Sequence, residues 1–165
     1  MHIVIDSEQF MRTLKRMTHE IIERNTSLQD IILVGIEKKG TPFARKIKEF
    51  ILDFEGIDVP LEVMDISSHR DDDKKLEHVH IEFQHSVENK TIILVDDVLY
   101  TGRSVRAAMD AIMDLGRPAK IELAVFVDRG HREIPIRADF IGKNLPTSKA
   151  ELVLCDFDGR TVSII

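Results

Sequence analysis

Four aliphatic residues in unbroken succession, Ile92, Ile93, Leu94 and Val95, end on two adjacent carboxylates, Asp96 and Asp97. A run with no polar alternation suits a parallel strand covered on both faces, so it calls for a sheet flanked by helices. After the loop Val98-Leu99-Tyr100-Thr101-Gly102-Arg103-Ser104, the residues Val105, Ala108, Met109, Ile112 and Leu115 recur at helical spacing. Gly116 and Pro118 then end the helix. Strand, polar loop and helix follow one another within a single stretch of chain.

That order suits an anionic ligand. Gly102 removes the Cβ obstacle to close approach, Thr101 and Ser104 can donate from their hydroxyls, and the new helix presents unpaired N–H groups and the positive end of its dipole. A phosphate fits this loop. Asp96 and Asp97 fall at the carboxyl end of the strand, where the ligand crevice of an open α/β sheet lies and where carboxylates can accept hydrogen bonds from ribose hydroxyls. A lone Asp-Asp pair is usually solvated punctuation. The strand before it and Thr-Gly-Arg-Ser behind it point instead to a site for a phosphorylated sugar.

The strand-loop-helix order recurs. Ile31 to Ile36 is a second buried-strand run, followed by Glu37-Lys38-Lys39-Gly40, by Thr41 as a helix cap and by Pro42 at the first helical position. Phe43, Ile47, Phe50, Ile51 and Phe54 form the apolar stripe of that helix. Earlier, Asp6 and Gln9 make a capping pair before a helix whose Phe10, Leu14, Met17, Ile21 and Ile22 face the core. Val59 to Ile66 and Ile121 to Val127 read as further strands, and His78 to Val87 alternates like an exposed ribbon. Leu152 to Phe157 and Val162 to Ile165 read as short closing strands. The fold class expected is α/β, a largely parallel sheet with helices on both faces.

A chain of 165 residues with 43% hydrophobic content is expected to form one domain over 1–165, since no linker or repeat divides it. Cys155, flanked by Leu152, Val153 and Leu154, reads as a buried strand residue rather than a nucleophile. The lack of a signal peptide or membrane-length apolar run makes the cytoplasm the expected location and excludes a membrane partner. The net charge of -6 argues against coating nucleic acid by bulk electrostatics, so any such binding needs a local basic patch. Two segments could supply one: Arg12, Lys15, Arg16, His19 and Arg24, and later Arg129, His131, Arg132, Arg137, Lys143 and Lys149. His78 and His80 share one side of the expected ribbon, with His69 and His85 near in sequence, but no third ligand has metal-site spacing, so no protein metal site is expected.

The segment Val95 to Ser104 resembles the phosphoribosyl diphosphate signature of type I phosphoribosyltransferases. Its Val-Leu-Tyr-Thr-Gly-Arg wording is most similar to the PyrR family of pyrimidine operon attenuation regulators and uracil phosphoribosyltransferases. A second block, Val127 to Lys149, carries the resemblance to that family in particular, and the likeness runs from about Ile3 to Val153. It implies a type I phosphoribosyltransferase core with a small hood over the base.

The resemblance also implies roles. Asp96, Asp97 and Arg70 would serve catalysis, the carboxylates at the ribose and Arg70 from a flexible loop that closes over diphosphate. Lys38, Lys39, Gly40, Val98, Leu99, Tyr100, Thr101, Gly102, Arg103 and Ser104 would bind phosphoribosyl diphosphate, with Mg²⁺ carried mainly by that ligand. Asp128, Arg129, Ile141 and Gly142 would contact uracil or the nucleotide, partly through backbone groups. Arg16, His19, Arg24, His131, Arg132, Arg137 and Lys143 would form an RNA-reading face in a homodimer or higher homo-oligomer. The implied partners are uracil, phosphoribosyl diphosphate, UMP or UTP, and the leader mRNA of a pyrimidine operon.

Three departures from the family pattern bear on turnover. Lys38 and Lys39 stand where threonine and arginine are usual, and lysine keeps the charge but loses the planar fork. His69 replaces a tyrosine, and the stretch from Asp65 to Thr91 is short, so the lid is clipped. These features point to a pocket that binds UMP better than it makes it. The alternatives are an RNA-binding regulator with weak or lost catalysis and a purine phosphoribosyltransferase of the same fold, against which the block from Asp128 to Lys149 argues.

Overall fold

The computed structural model describes residues 1–66 and 81–165. Its elements in chain order are β1 (His2–Ile5), α1 (Ser7–Arg24), β2 (Ile31–Ile36), α2 (Thr41–Glu55), β3 (Leu61–Met64), β4 (Thr91–Leu99), α3 (Arg103–Leu115), β5 (Lys120–Asp128), β6 (Phe140–Asn144), β7 (Val153–Asp156) and β8 (Thr161–Ile164). Five of the strands form a sheet in the order β3-β2-β4-β5-β6, and every neighbouring pair in it is parallel. The strands β1, β8 and β7 form a separate antiparallel sheet of three.

Burial of both sheet faces follows from the aliphatic runs. Ile31, Leu33, Ile93 and Val95 face α1 and α2 with Leu14, Ile21, Ile47 and Ile51, whereas Ile32, Val34, Ile92 and Leu94 face α3 with Val105, Ala108 and Ile112. On the first side an aromatic cluster joins four elements. Phe126 of β5 lies 4.4 Å from Phe10 of α1 and 4.9 Å from Phe43 of α2 between ring centroids. Phe157, just past β7, meets Phe10 and Phe43 edge-on at 5.8 and 5.0 Å, which ties the small sheet to the large one.

Local signals explain the helix starts, with one correction. The Asp6 carboxylate accepts from the Gln9 amide (3.0 Å) and the Gln9 side chain accepts from the Asp6 amide (3.1 Å), the reciprocal box expected from the sequence. Thr41 does not cap α2. Gly40 holds the capping position and no side-chain cap is made, because Thr41 is turned inward, its hydroxyl donating to Glu37 Oε1 at 3.3 Å. Pro42 accordingly stands one place further into the helix than expected. Phe54 and Leu115, expected on apolar stripes, are exposed.

Other expectations also change. Residues 81–87 of the expected ribbon form no strand, and residues 78–80 lie outside the described residues. Glu62 of β3 instead holds this segment, its Oε2 accepting from the His85 amide (2.8 Å) and lying 2.7 Å from His85 Nδ1. Strands β1 and β6 were not anticipated. β6 contains Gly142, where a Cβ would lie 2.3 Å from the Phe126 carbonyl oxygen and 3.1 Å from Met17 Sδ, so a weak strand former occupies a position that only close packing explains.

Truncation of the shared aromatic should be costly. Phe126→Ala is expected to lower the unfolding free energy by about 3–5 kcal/mol, seen in urea titration as a lower midpoint at an unchanged slope.

Candidate active site

The carboxyl end of β4 carries the site. Asp96 and Asp97 are 4% and 9% exposed, which is rare for aspartates and needs local compensation. The Asp97 amide donates to Asp96 Oδ1 and the Val98 amide to Asp97 Oδ1, both at 2.8 Å, so each carboxylate folds back on the chain that bears it. Beyond them residues 96–105 line a cavity of about 350 Å³. Its far wall is the start of α3, whose capping residue has no side chain, although the Thr101 hydroxyl accepts from the Arg103 amide at 3.3 Å. Gly102 stands at the capping position with φ 93°, a conformation that favours glycine. A helix N-terminus left without a side-chain cap at the mouth of a cavity is an anion-binding geometry.

The loop after β2 is brought against this site by contact between main chains. A Cβ at Gly40 would lie 2.3 Å from the Val95 carbonyl oxygen and 2.9 Å from Asp96 Cα, so only glycine lets the loop reach β4. The peptide between Glu37 and Lys38 is cis. Lys38 and Lys39 are exposed in that loop, and neither lines the cavity. Arg70 lies outside the described residues, as do His69, His78 and His80. Among the described residues, no group of three or more His, Cys, Asp or Glu side chains is placed to hold a metal ion.

The segment after β5 forms a rim packed on the loop after β4, though neither Asp128 nor Arg129 lines the cavity. Asp128 is level with Leu99 in the sheet, and its Oδ1 accepts from the Gly130 amide at 3.0 Å. Arg129 is buried. Its Nε donates to Thr147 Oγ1 (3.1 Å), and Nη2 donates to the carbonyls of Ser148 (3.0 Å) and Glu151 (2.8 Å). The guanidinium also lies 4.3 Å from the Tyr100 ring centroid, which joins the loop after β4 to the segment after β6. The Ser148 amide in turn donates to the Glu151 carboxylate, which holds that carboxyl below its usual range. Ile141 and Gly142 do not line the cavity. Their carbonyls accept from Arg16 Nη2 at 3.3 and 2.5 Å.

The basic residues of the expected RNA face separate into two kinds. Arg16 is tied to Glu20 (2.9 Å) as well as to β6, and Arg24 reaches Glu122 (2.9 Å) and Asp139 (3.3 Å) over the Phe140 ring. These two arginines close the edge of the large sheet. His19 stacks on Phe54 at 4.4 Å. His131 Nε2 donates to the Thr147 carbonyl (2.6 Å), Arg132 Nη1 donates to the Ile136 carbonyl (3.1 Å), and Arg137 and Lys143 are exposed. Lys143 also lines a shallow second cavity of about 280 Å³ with Gln9, Arg12 and Thr13.

Sequence reasoning missed the partners of Arg129, namely Thr147, Ser148 and Glu151, because nothing in their spacing distinguishes them from loop residues. It also missed Glu133, which pairs with Arg103 at 2.8 Å. A lone acid inside the basic stretch His131-Arg132-Glu133 was the available signal. Cys155 is half-buried in β7, and burial first, then the charge of Asp97, push its thiol above the ordinary value. The native protein should therefore react slowly with a thiol reagent at neutral pH and rapidly once denaturant is added, as followed by thiol titration.

Comparisons with known proteins agree with this geometry. The family of the phosphoribosyl transferase domain matches residues 4–155. A protein of Enterococcus faecalis named bifunctional protein pyrR is 53% identical over 160 residues, covering 95% of this chain and 90% of that protein. One of Mannheimia succiniciproducens, named bifunctional protein PyrR, is 50% identical over 170 residues, with 95% and 93% covered. Among solved structures, the hypoxanthine phosphoribosyltransferase of Trypanosoma cruzi superposes with a TM-score of 0.77 over 99% of this chain and 95% of that one. It is 19% identical, so it bears on the fold alone. With a phosphoribosyl transferase domain spanning most of its length and half of its residues shared with bifunctional PyrR proteins, this chain belongs to the PyrR family.

Proposed function

We propose that the protein is a transcriptional attenuation regulator of pyrimidine biosynthesis that also converts uracil and phosphoribosyl diphosphate to UMP and diphosphate. The observation that carries this reading is the cavity at the end of β4, where two buried carboxylates face an uncapped helix start, in a chain half identical to bifunctional PyrR proteins. The loop of Thr101 to Ser104 holds the 5'-phosphate. Asp96 and Asp97 accept from the ribose hydroxyls. Lys38, Lys39 and the backbone at Gly40 meet the diphosphate, and Arg70 serves catalysis with the two aspartates.

Transfer breaks the bond from the anomeric carbon to diphosphate through a transition state with positive charge on the ribose. The carboxylates of Asp96 and Asp97 lie where that charge develops, and the rim of Asp128 and Arg129 helps exclude water from it. The site's acidic donors are hard carboxylate oxygens, which suits Mg²⁺ brought in by phosphoribosyl diphosphate. When bound, the ion neutralises the leaving diphosphate. Ile141 and Gly142 act on the base from behind, by fixing β6 beside the rim.

The RNA partner is the leader transcript of a pyrimidine operon, recognised in the cytoplasm by a homodimer or higher homo-oligomer and promoted by UMP or UTP in the pocket. His131, Arg132, Arg137 and Lys143 on the rim side, with His19 on α1, supply the contacts. Arg16 and Arg24 contribute by holding the sheet edge on which that face is built. A local face of this kind is compatible with the net charge of -6.

Purified protein with Mg²⁺, uracil and phosphoribosyl diphosphate should form UMP, and Asp97→Asn should reduce turnover at least about 100-fold while leaving the fold intact by circular dichroism. No UMP at any pH would reject the enzymatic half. In a gel shift, a pyrimidine-leader hairpin should bind more tightly with UMP present and lose affinity as salt rises. A hairpin that fails to bind with UMP present would reject the regulatory half.

A further inference from the structure

The phosphate loop and the rim turn are joined at more points than a passing loop contact requires. The Arg129 amide donates to the Leu99 carbonyl (3.2 Å) and the Glu133 amide donates to the Thr101 carbonyl (3.0 Å). The Arg103 guanidinium meets Glu133 Oε1 at 2.8 Å. A Cβ on Gly102 would lie 3.2 Å from Ile134 Cγ1, so the two segments pack directly. The Tyr100 ring has the Arg129 guanidinium 4.3 Å away and the His131 ring edge-on at 5.8 Å.

The rim turn is itself held away from relaxed backbone. Gly130 and His131 have φ of 84° and 69°, and the left-handed conformation is strained for the histidine. Its ring bond to the Thr147 carbonyl and its contact with Tyr100 keep it there. The placement of His131 and Arg132 thus depends on the same contacts that shape the loop meant for the phosphate.

We propose that Glu133 is the positioning residue through which a 5'-phosphate in the loop is felt at the RNA-facing turn, a regulatory link that rests on the function proposed above. Phosphate and Glu133 compete for Arg103. Its pair with Glu133 is half exposed on both sides, at 50% and 47%, so it contributes little stability and rearranges easily. Arg103 is also the first residue of α3, beside the loop where a phosphate dianion would bind. The dianion attracts the guanidinium and repels the Glu133 carboxylate. Glu133 is then released from Arg103, and the turn that carries His131 and Arg132 resets. The buried Arg129 clamp does not move, so the change stays local to residues 131–136.

A ligand shifts a conformation only through different affinities for the two states, and the coupling must be reciprocal. UMP should therefore tighten RNA binding by the factor by which RNA tightens UMP binding, and uridine, which lacks the phosphate, should leave RNA affinity unchanged.

The test compares wild type with Glu133→Gln and Glu133→Asp, measuring the Kd of a pyrimidine-leader hairpin with and without UMP, and the Kd of UMP with and without hairpin. Wild type should show a coupling of at least about five-fold. Glu133→Gln, which has no charge to hold Arg103 or repel the dianion, should raise both the nucleotide-free RNA affinity and the RNA-free UMP affinity toward their coupled values and so bring the coupling close to one, and Glu133→Asp, which retains the charge, should restore most of it. Coupling in Glu133→Gln equal to wild type overturns this proposal alone, as does equal loss in both variants or a response to uridine matching that to UMP. Wild type that binds no hairpin, or binds it without regard to UMP, overturns the regulatory reading beneath it as well.

Discussion

Enclosure of β4 is the constraint on which the rest of this structure depends. The strand lies between β2 and β5, and helices cover both faces of the sheet, so residues 92–95 are almost wholly withdrawn from water. A charged group along such a strand needs a partner, as Glu122 of β5 has in Arg24, and β4 keeps its polar chemistry for its carboxyl-terminal part. Asp96 and Asp97 follow the aliphatic run while still within β4. They remain buried because the backbone N–H groups just beyond them turn inward to meet their oxygens. The glycine contacts at Gly40 and the uncapped start of α3 complete the site around the same strand end.

The cationic side chains show how little of a chain's formal charge is available for a partner. Arg16, Arg24 and Arg129 each spend their guanidinium on carbonyls, carboxylates or an aromatic face within the protein. They give the sheet edge and the rim their shape. Lys143 and Arg137 are exposed, and His131 and Arg132 belong to a turn that leans on the loop after β4. A face built from such parts can respond to what the pocket holds, because its geometry and the pocket's are not independent.

Much of the large sheet was legible because its signals are local and strong. The run from Ile92 to Val95, the Asp6 and Gln9 box and the helical spacing after Ser104 each describe one element without reference to another. Strand β6 was illegible for the opposite reason. Gly142 lowers its strand propensity, and the benefit of a glycine there arises only against Phe126 and Met17, residues distant in sequence. The ribbon expected at His78 to Val87 failed over its described part because alternation cannot show that Glu62 binds His85 and holds the segment outside any strand. Thr41 reads as a cap by composition, yet its hydroxyl is claimed by Glu37.

By itself the sequence determined the α/β class, the strand that ends in Asp96 and Asp97, and the loop that follows, since hydrophobic period, turn residues and helix ends act over a few neighbouring residues. It could also show a concentration of basic residues within an acidic chain. Only the tertiary structure decided which of those residues hold the protein together and which face outward. It alone brought the Gly40 loop to Asp96, and Glu133 to Arg103. Such pairings depend on distances between segments far apart in the chain, and no local pattern of residue types encodes a distance.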